Sequence, residues 1–219
     1  RPCDCTLEME VYSLAAGAAA FQFLTYQQAL GQAEGTKHIL LGNGFSRALR
    51  NDIFAYDALF LRADFSRLSN TAREAFNVLN TTDFEIVMRV LRLIVKLLPL
   101  YRNDPDLIRT LTADADGLRE VLVQAIADNH PEGTFEVSDE QATACRTFLA
   151  PFNHIYTVNY DLLLYWVLIR SELRPAVRCD DGFRAPDDPN AEYVTWEVEN
   201  TDRQNVFYLH GALHIFDAE

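Results

Sequence analysis

Basic charge is scarce in this chain of 219 residues. It carries 19 Lys and Arg against 32 Asp and Glu, a net charge of −13. Such a balance repels nucleic acid and anionic membrane surfaces, and argues against direct nucleic-acid binding. Cysteine is sparse too. Cys3, Cys5, Cys145 and Cys179 form no Cys-x-x-Cys pair, so neither a zinc ribbon nor a thioredoxin-type site is indicated. Their scatter fits unpaired thiols in a reducing, cytoplasmic setting. No apolar run is long enough to span a membrane. The longest near the start, Val11 to Leu24, is short and broken by Gln22. It has no basic leader, so no signal peptide is expected. Repeats and low-complexity tracts are also missing from residues 67–150. The chain opens with Arg1-Pro2 rather than Met, which fits a processed or trimmed N-terminus. What is left is a globular composition, 49% hydrophobic and 23% charged, sized for one domain or one domain with a large insertion.

Against this background one stretch stands out: His38-Ile39-Leu40-Leu41-Gly42-Asn43-Gly44-Phe45-Ser46. A short apolar run of buried-strand length ends in two glycines one residue apart, then a hydroxyl. Glycines there permit a tight turn and let a ligand approach the backbone. A helix starting at Gly44 would aim its free N–H groups and dipole at an anion such as a phosphate. The third glycine of the dinucleotide fingerprint is replaced by Arg47.

Residues 1–24 read as a variable lead-in, with an alanine-rich helix over Leu14 to Ala20, and the main domain spans 25–219. Thr25 caps a short helix. Lys37 to Leu41 is a strand, followed by a short helix to about Arg50. Asn51 to Asp57 is expected as a turn, placed either as a lid over the glycine turn or as plain surface loop. Ala58 to Ala63 resumes a helix. Residues 67–150 read as helical throughout. Thr82-Asp83-Phe84-Glu85 and Ser138-Asp139-Glu140-Gln141 are capping-box sequences. The apolar face after Phe84 is broad, so that helix is expected to be central in its layer. Pro99 is expected to end it. Asp104 to Asn129 gives one or two helices, with a break at Gly117. Residues 171–192 read as loop, and Tyr193 to Glu199 alternates like a strand.

Two further stretches carry chemistry. In Thr157-Val158-Asn159-Tyr160-Asp161 a strand ends in polar groups just before an apolar helix, Leu162 to Ile169. Open α/β sheets place ligands at such strand ends. Asn159 or Asp161 could instead cap the helix. Capping explains one of them, whereas alternation puts Thr157, Asn159 and Asp161 on one face. Asn205 to Leu209 is a third buried strand, and it ends in His210-Gly211. His210 reads either as a structural residue or as a general base held at a strand end. Leu213 to Phe216 is expected to begin another strand. That strand-like context weighs against a metal at His210 and His214.

Taken in order, Gly42-Asn43-Gly44-Phe45-Ser46, Thr157-Val158-Asn159-Tyr160-Asp161 and Leu209-His210-Gly211 resemble the three motifs of the sirtuin superfamily: Gly-x-Gly-x-Ser, Thr-x-Asn-x-Asp and His-Gly. The segment from Tyr26 to Asp217 resembles a bacterial sirtuin-like family whose domain has no assigned function. The resemblance implies an α/β fold with a Rossmann-like parallel sheet, an inserted helical module at about 67–150, and NAD as substrate. Gly42, Asn43, Gly44, Phe45 and Ser46 would hold the diphosphate, with Thr157 beside them. Asp161 would hold the nicotinamide carboxamide, Asn159 would orient ribose and water, and His210 would act as general base. Further strands for the adenosine half are expected beyond residue 219.

Protein-deacylating sirtuins carry a four-cysteine zinc module, and this sequence has none. The resemblance therefore points to an NAD glycohydrolase without a metal, as in effectors of anti-phage defence. It also implies a homo-oligomer or a partner protein that controls activity. Two alternatives are a non-catalytic nucleotide-binding sensor or scaffold and an NAD-dependent protein deacylase.

Overall fold

A computed structural model of the chain describes residues 23–187 and 190–216. The Leu14–Ala20 helix, Cys3 and Cys5 lie outside the described residues. Packing divides the chain after Gly35. The first unit contains α1 (Tyr26–Gln32), capped by Thr25 in a reciprocal box with Gln28.

The second unit runs β1 (His38–Leu41), α2 (Asn43–Phe54), α3 (Tyr56–Arg62), α4 (Asn70–Val78), α5 (Phe84–Tyr101), α6 (Pro105–Asn129), α7 (Asp139–Leu149), β2 (His154–Thr157), α8 (Leu163–Ile169), β3 (Phe183–Arg184), β4 (Thr195–Trp196) and β5 (Val206–Tyr208). It is a mixed α/β unit. β1, β2 and β5 form a parallel sheet in that order, and β3 and β4 pair antiparallel. The register sets Leu41 beside Thr157 and Thr157 beside Tyr208. The three strands therefore end level with one another. Their other end is fixed by Asn205, fully buried, whose amide donates to the Asn153 and Arg178 carbonyls and accepts from Asp180 N–H. The helices between β1 and β2 do not form a separate body: Phe76, Phe84 and Leu118 share one core with Leu41, Ile155 and Val206.

Several expectations hold. Residues 67–150 are mostly helical, the stretch after Asp104 forms a single helix to Asn129, and Ser138 and Gln141 form the second capping box. Others are corrected. Asn51 to Asp57 is no lid. α2 bends at Arg50 (φ −140°, ψ 70°) and continues to Phe54, with α3 following directly, and Ile53 and Phe54 are core residues. Arg50 is held there by Asp52 and Glu136.

Asp83, not Thr82, caps α5, while Thr82 Oγ1 donates to Asp57. Pro99 does not end α5. It sits close to the C-terminus, where one lost bond is tolerated, and Arg102 N–H still reaches the Leu98 carbonyl at 2.8 Å. Gly117 does not break α6; a Cβ there would collide with Leu68, so the missing side chain makes room for that leucine. Nor is α5 central in its layer. Phe84, Val87, Met88 and Leu91 are buried, but Ile86, Leu93, Leu97 and Leu100 are exposed. Within 171–192 the chain forms β3, only Thr195–Trp196 of the 193–199 stretch is strand, and Leu213–Phe216 is not a strand.

One buried cation ties α7 to the end of α8. Arg146 on α7 is almost fully buried and faces three carbonyls: Val167 (3.0 Å) and Leu168 (3.2 Å) at the end of α8, and Pro175 (3.1 Å). It satisfies carbonyls that a helix end leaves orphaned, and its charge suits the negative end of the α8 dipole. Arg146→Met should lower unfolding free energy by about 2–4 kcal/mol, from the stranded carbonyls. Arg146→Lys should restore little, because a point ammonium cannot reproduce the guanidinium fork. Denaturant titration of both variants checks this.

Candidate functional site

The carboxyl ends of β1, β2 and β5 bring the three sequence stretches to one edge of the sheet. After Leu41 the chain enters α2 with Gly42 as the cap position. Gly42 has extended backbone (φ −115°, ψ −167°), Gly44 is helical, and a Cβ at either would meet nothing within 4 Å. Neither glycine is required by the backbone or by packing inside the protein, so the tight-turn reason for them falls. What they leave is open space above the start of α2. No side chain caps that start, and the N–H groups of Asn43 and Gly44 lie where a helix supplies no acceptor. Gly211 differs: its φ of +78° is a conformation that favours glycine. It turns the chain after His210, and Leu213 N–H then reaches the Tyr160 carbonyl at 2.8 Å.

A buried hydrogen-bond chain ties the first two stretches together. Asn159 Nδ2 donates to the Gly42 carbonyl (3.0 Å) and to Ser46 Oγ (2.8 Å). Ser46 Oγ donates to Asp161 Oδ2 at 2.5 Å. Asp161 Oδ1 accepts the N–H of Leu163, the first residue of α8, at 2.9 Å. Thr157 Oγ1 accepts Asn159 N–H at 3.1 Å, because the strand stops at Thr157 and the chain turns. Both Asn159 amide protons are thus engaged, and Oδ1 is the atom left without a partner among the described residues. Burial pushes the Asp161 carboxyl above the usual carboxylate range, and the Ser46 and Leu163 hydrogen bonds oppose that rise.

The remaining residues separate. Asn43 sends its amide to the Phe54 carbonyl (2.9 Å), holding the bent second half of α2. Phe45 is a core residue. His210 is exposed, its ring 5.9 Å from that of Tyr160. His214 does not join it: its ring nitrogens are sealed without partners beside Tyr165 and Tyr208. Among the described residues no group of three or more His, Cys, Asp or Glu could hold a metal.

Sequence reasoning missed His130, at the end of α6. Its Nε2 accepts Leu162 N–H (2.9 Å) and its Nδ1 faces the Pro131 carbonyl (2.9 Å). These partners require the neutral Nδ1–H tautomer. Its ring packs on Trp166 and Phe54. No local pattern announces this role, since the partner is 32 residues away. Also missed was an apolar recess of about 490 Å³ beside the glycine turn, between Leu40 and Leu41 of β1, Ala48 and Leu49 of α2, and Cys145 and Phe148 of α7. Burial pushes the Cys145 thiol up to about 11, so it is a neutral wall rather than a nucleophile.

A parallel sheet whose strand ends carry an uncapped helix start and a polar cluster defines a mixed α/β protein with its candidate site at the carboxyl edge. The chain belongs to the family described as a domain of unknown function, DUF4917, whose model matches residues 39–219. No curated protein and no solved structure matches it at a significant level.

Ser46→Ala strands Asn159 Nδ2 and Asp161 Oδ2 together, and should cost about 1–3 kcal/mol at neutral pH. The Asp161 carboxyl already titrates above its unfolded value, so its penalty is absent in strong acid and grows as pH rises through the folded value. Removing the Ser46 donor raises that value further. The stability gap between parent and variant should therefore narrow on acidification, read from urea midpoints across the carboxylate range.

Proposed function

We propose that this chain is an NAD glycohydrolase built on a Rossmann-like sheet of the sirtuin kind. The observation that carries the reading is the open space over Gly42 and Gly44, next to uncapped N–H groups of α2 and level with the ends of β2 and β5. Glycine at a helical position costs about 1 kcal/mol relative to alanine, and a diphosphate resting on the backbone gives a reason for that cost. The recess has small-molecule dimensions and adjoins the turn, which suits a base or nicotinamide ring better than the extended peptide of a deacylase.

In this reading the reaction breaks the bond between nicotinamide nitrogen and ribose C1′. Nicotinamide departs neutral, positive charge develops on the sugar, and water adds at C1′. The water proton passes to His210 and then to solvent. Asn159 Oδ1, the unengaged atom of the cluster, orients ribose and water. The gain comes from positioning and from one activated nucleophile. Asp161, committed to Ser46 and Leu163, holds Asn159 and the glycine turn in place rather than the carboxamide. An NAD hydrolase under control suits an effector of bacterial anti-phage defence.

One observation favours a second reading, a nucleotide-binding module without turnover. Ser46, Asn159 and Asp161 largely satisfy one another, and His210 makes no hydrogen bond through its ring among the described residues.

Nicotinamide release and NAD affinity separate the two. His210 is exposed, so His210→Ala should keep the fold and NAD affinity while losing turnover by roughly 10²–10⁴-fold. Gly44→Leu should fold as well as the parent, because its side chain enters open space, yet weaken NAD binding at least about tenfold by covering the N–H groups. Unchanged turnover in His210→Ala removes that residue from the mechanism. NAD binding without nicotinamide release in the parent favours the binding module.

A further inference from the structure

The outer face of α5 carries a second apolar seam that the protein's own core does not use. Ile86, Val90, Leu93, Leu97 and Leu100 follow one another at alternating steps of four and three residues. That is the spacing of a coiled-coil seam, and it puts all five on one side of the helix. Leu93 is 47% exposed, Leu97 52% and Leu100 78%. Ile94 and Tyr101 extend the apolar surface along one flank, both exposed. The other flank is basic. Arg89 and Lys96 precede Val90 and Leu97, in the positions that face a partner helix across such a seam. Both are exposed, and neither forms an ion pair among the described residues. Arg92, further round the helix, is paired with Asp116 at 3.2 Å. Glu85 is the only acid in α5, although acids outnumber bases 32 to 19 over the chain.

We infer that this face docks an amphipathic helix of a separate protein, with leucine-type residues toward the seam and carboxylates along the edge facing Arg89 and Lys96. Charge disfavours an antiparallel second copy of the chain in that place. Two α5 seams packed antiparallel would set the Arg89 and Lys96 rows against each other, which repels. Acidic flanks on the incoming helix turn that repulsion into attraction, and they steer its approach to the Arg89 and Lys96 row of an acidic protein. The seam lies on the helical layer, so docking there does not depend on turnover at the strand ends.

The probe is a labelled peptide of three heptads with Leu at both seam positions and Glu on both flanks. Glutamates on both edges keep the peptide from pairing with itself. A matched peptide with Lys flanks is the control. Anisotropy titration of the intact protein should show the Glu peptide binding at least about tenfold tighter than the Lys peptide, with the gap shrinking in high salt. Leu97→Glu should abolish binding while the melting temperature is kept, since Leu97 is solvent-exposed. Arg89→Glu with Lys96→Glu should invert the preference between the two peptides. Equal binding of both peptides, no binding of either, or sedimentation of the protein alone as a dimer that Leu97→Glu dissociates would overturn the inference.

Discussion

The hydrogen bond from Asn159 to the Gly42 carbonyl, continued through Ser46 to Asp161, is the constraint on which the site depends. Parallel pairing aligns β1 with β2 only as far as Leu41 and Thr157. Beyond that the two chains leave the sheet, and the Asn159–Ser46–Asp161 chain fixes the distance between the starts of α2 and α8. Without it, the open backbone above Gly42 and Gly44 would have no defined relation to the end of β2. The arrangement also consumes its members. A side chain holding another in place contributes geometry, and Asn159 Oδ1 is the amide atom left without a partner among the described residues. Ser46 and Asp161 thus form a frame around the one unpartnered amide oxygen of Asn159.

A carboxyl group buried between two helix starts is electrostatically costly, and the surroundings show how the cost is met. Asp161 sits at the start of α8, where the helix dipole favours negative charge, and it accepts a backbone N–H and a hydroxyl. Its neighbour His130 accepts Leu162 N–H through Nε2 and so adds a hydrogen bond at the start of α8. The balance leaves the carboxyl above its ordinary range, a frame residue whose protonation is linked to stability.

Local signals carried much of the fold. Ser138 through Gln141 reads directly as a cap and the three apolar runs at 38–41, 154–157 and 206–208 as strands, since caps and apolar periodicity are local properties. The sheet-edge convergence of Gly42, Asn159 and His210 followed from each run carrying its polar group at the same end. What escaped was set by distant partners. The bend at Arg50 looked like a helix end because Glu136, 86 residues away, holds it. The segment to Phe54 looked like loop because its packing into the core is tertiary. Pro99 and Gly117 looked like breaks because propensity is a weak prior against packing. Within the site, the commitment of Asn43 to Phe54 and of Ser46 to Asp161 was invisible, because a motif names residues without saying which are spent on holding the others.

The central claim is that the vacant space over Gly42 and Gly44 receives the diphosphate of a dinucleotide. Titration of the isotope-labelled protein with ADP-ribose, followed by backbone amide chemical shifts, reads this directly and needs no turnover. The account predicts that the Asn43 and Gly44 amides move most, with adenosine alone leaving them in place. Shifts confined to other surfaces, or equal shifts with adenosine, would contradict it.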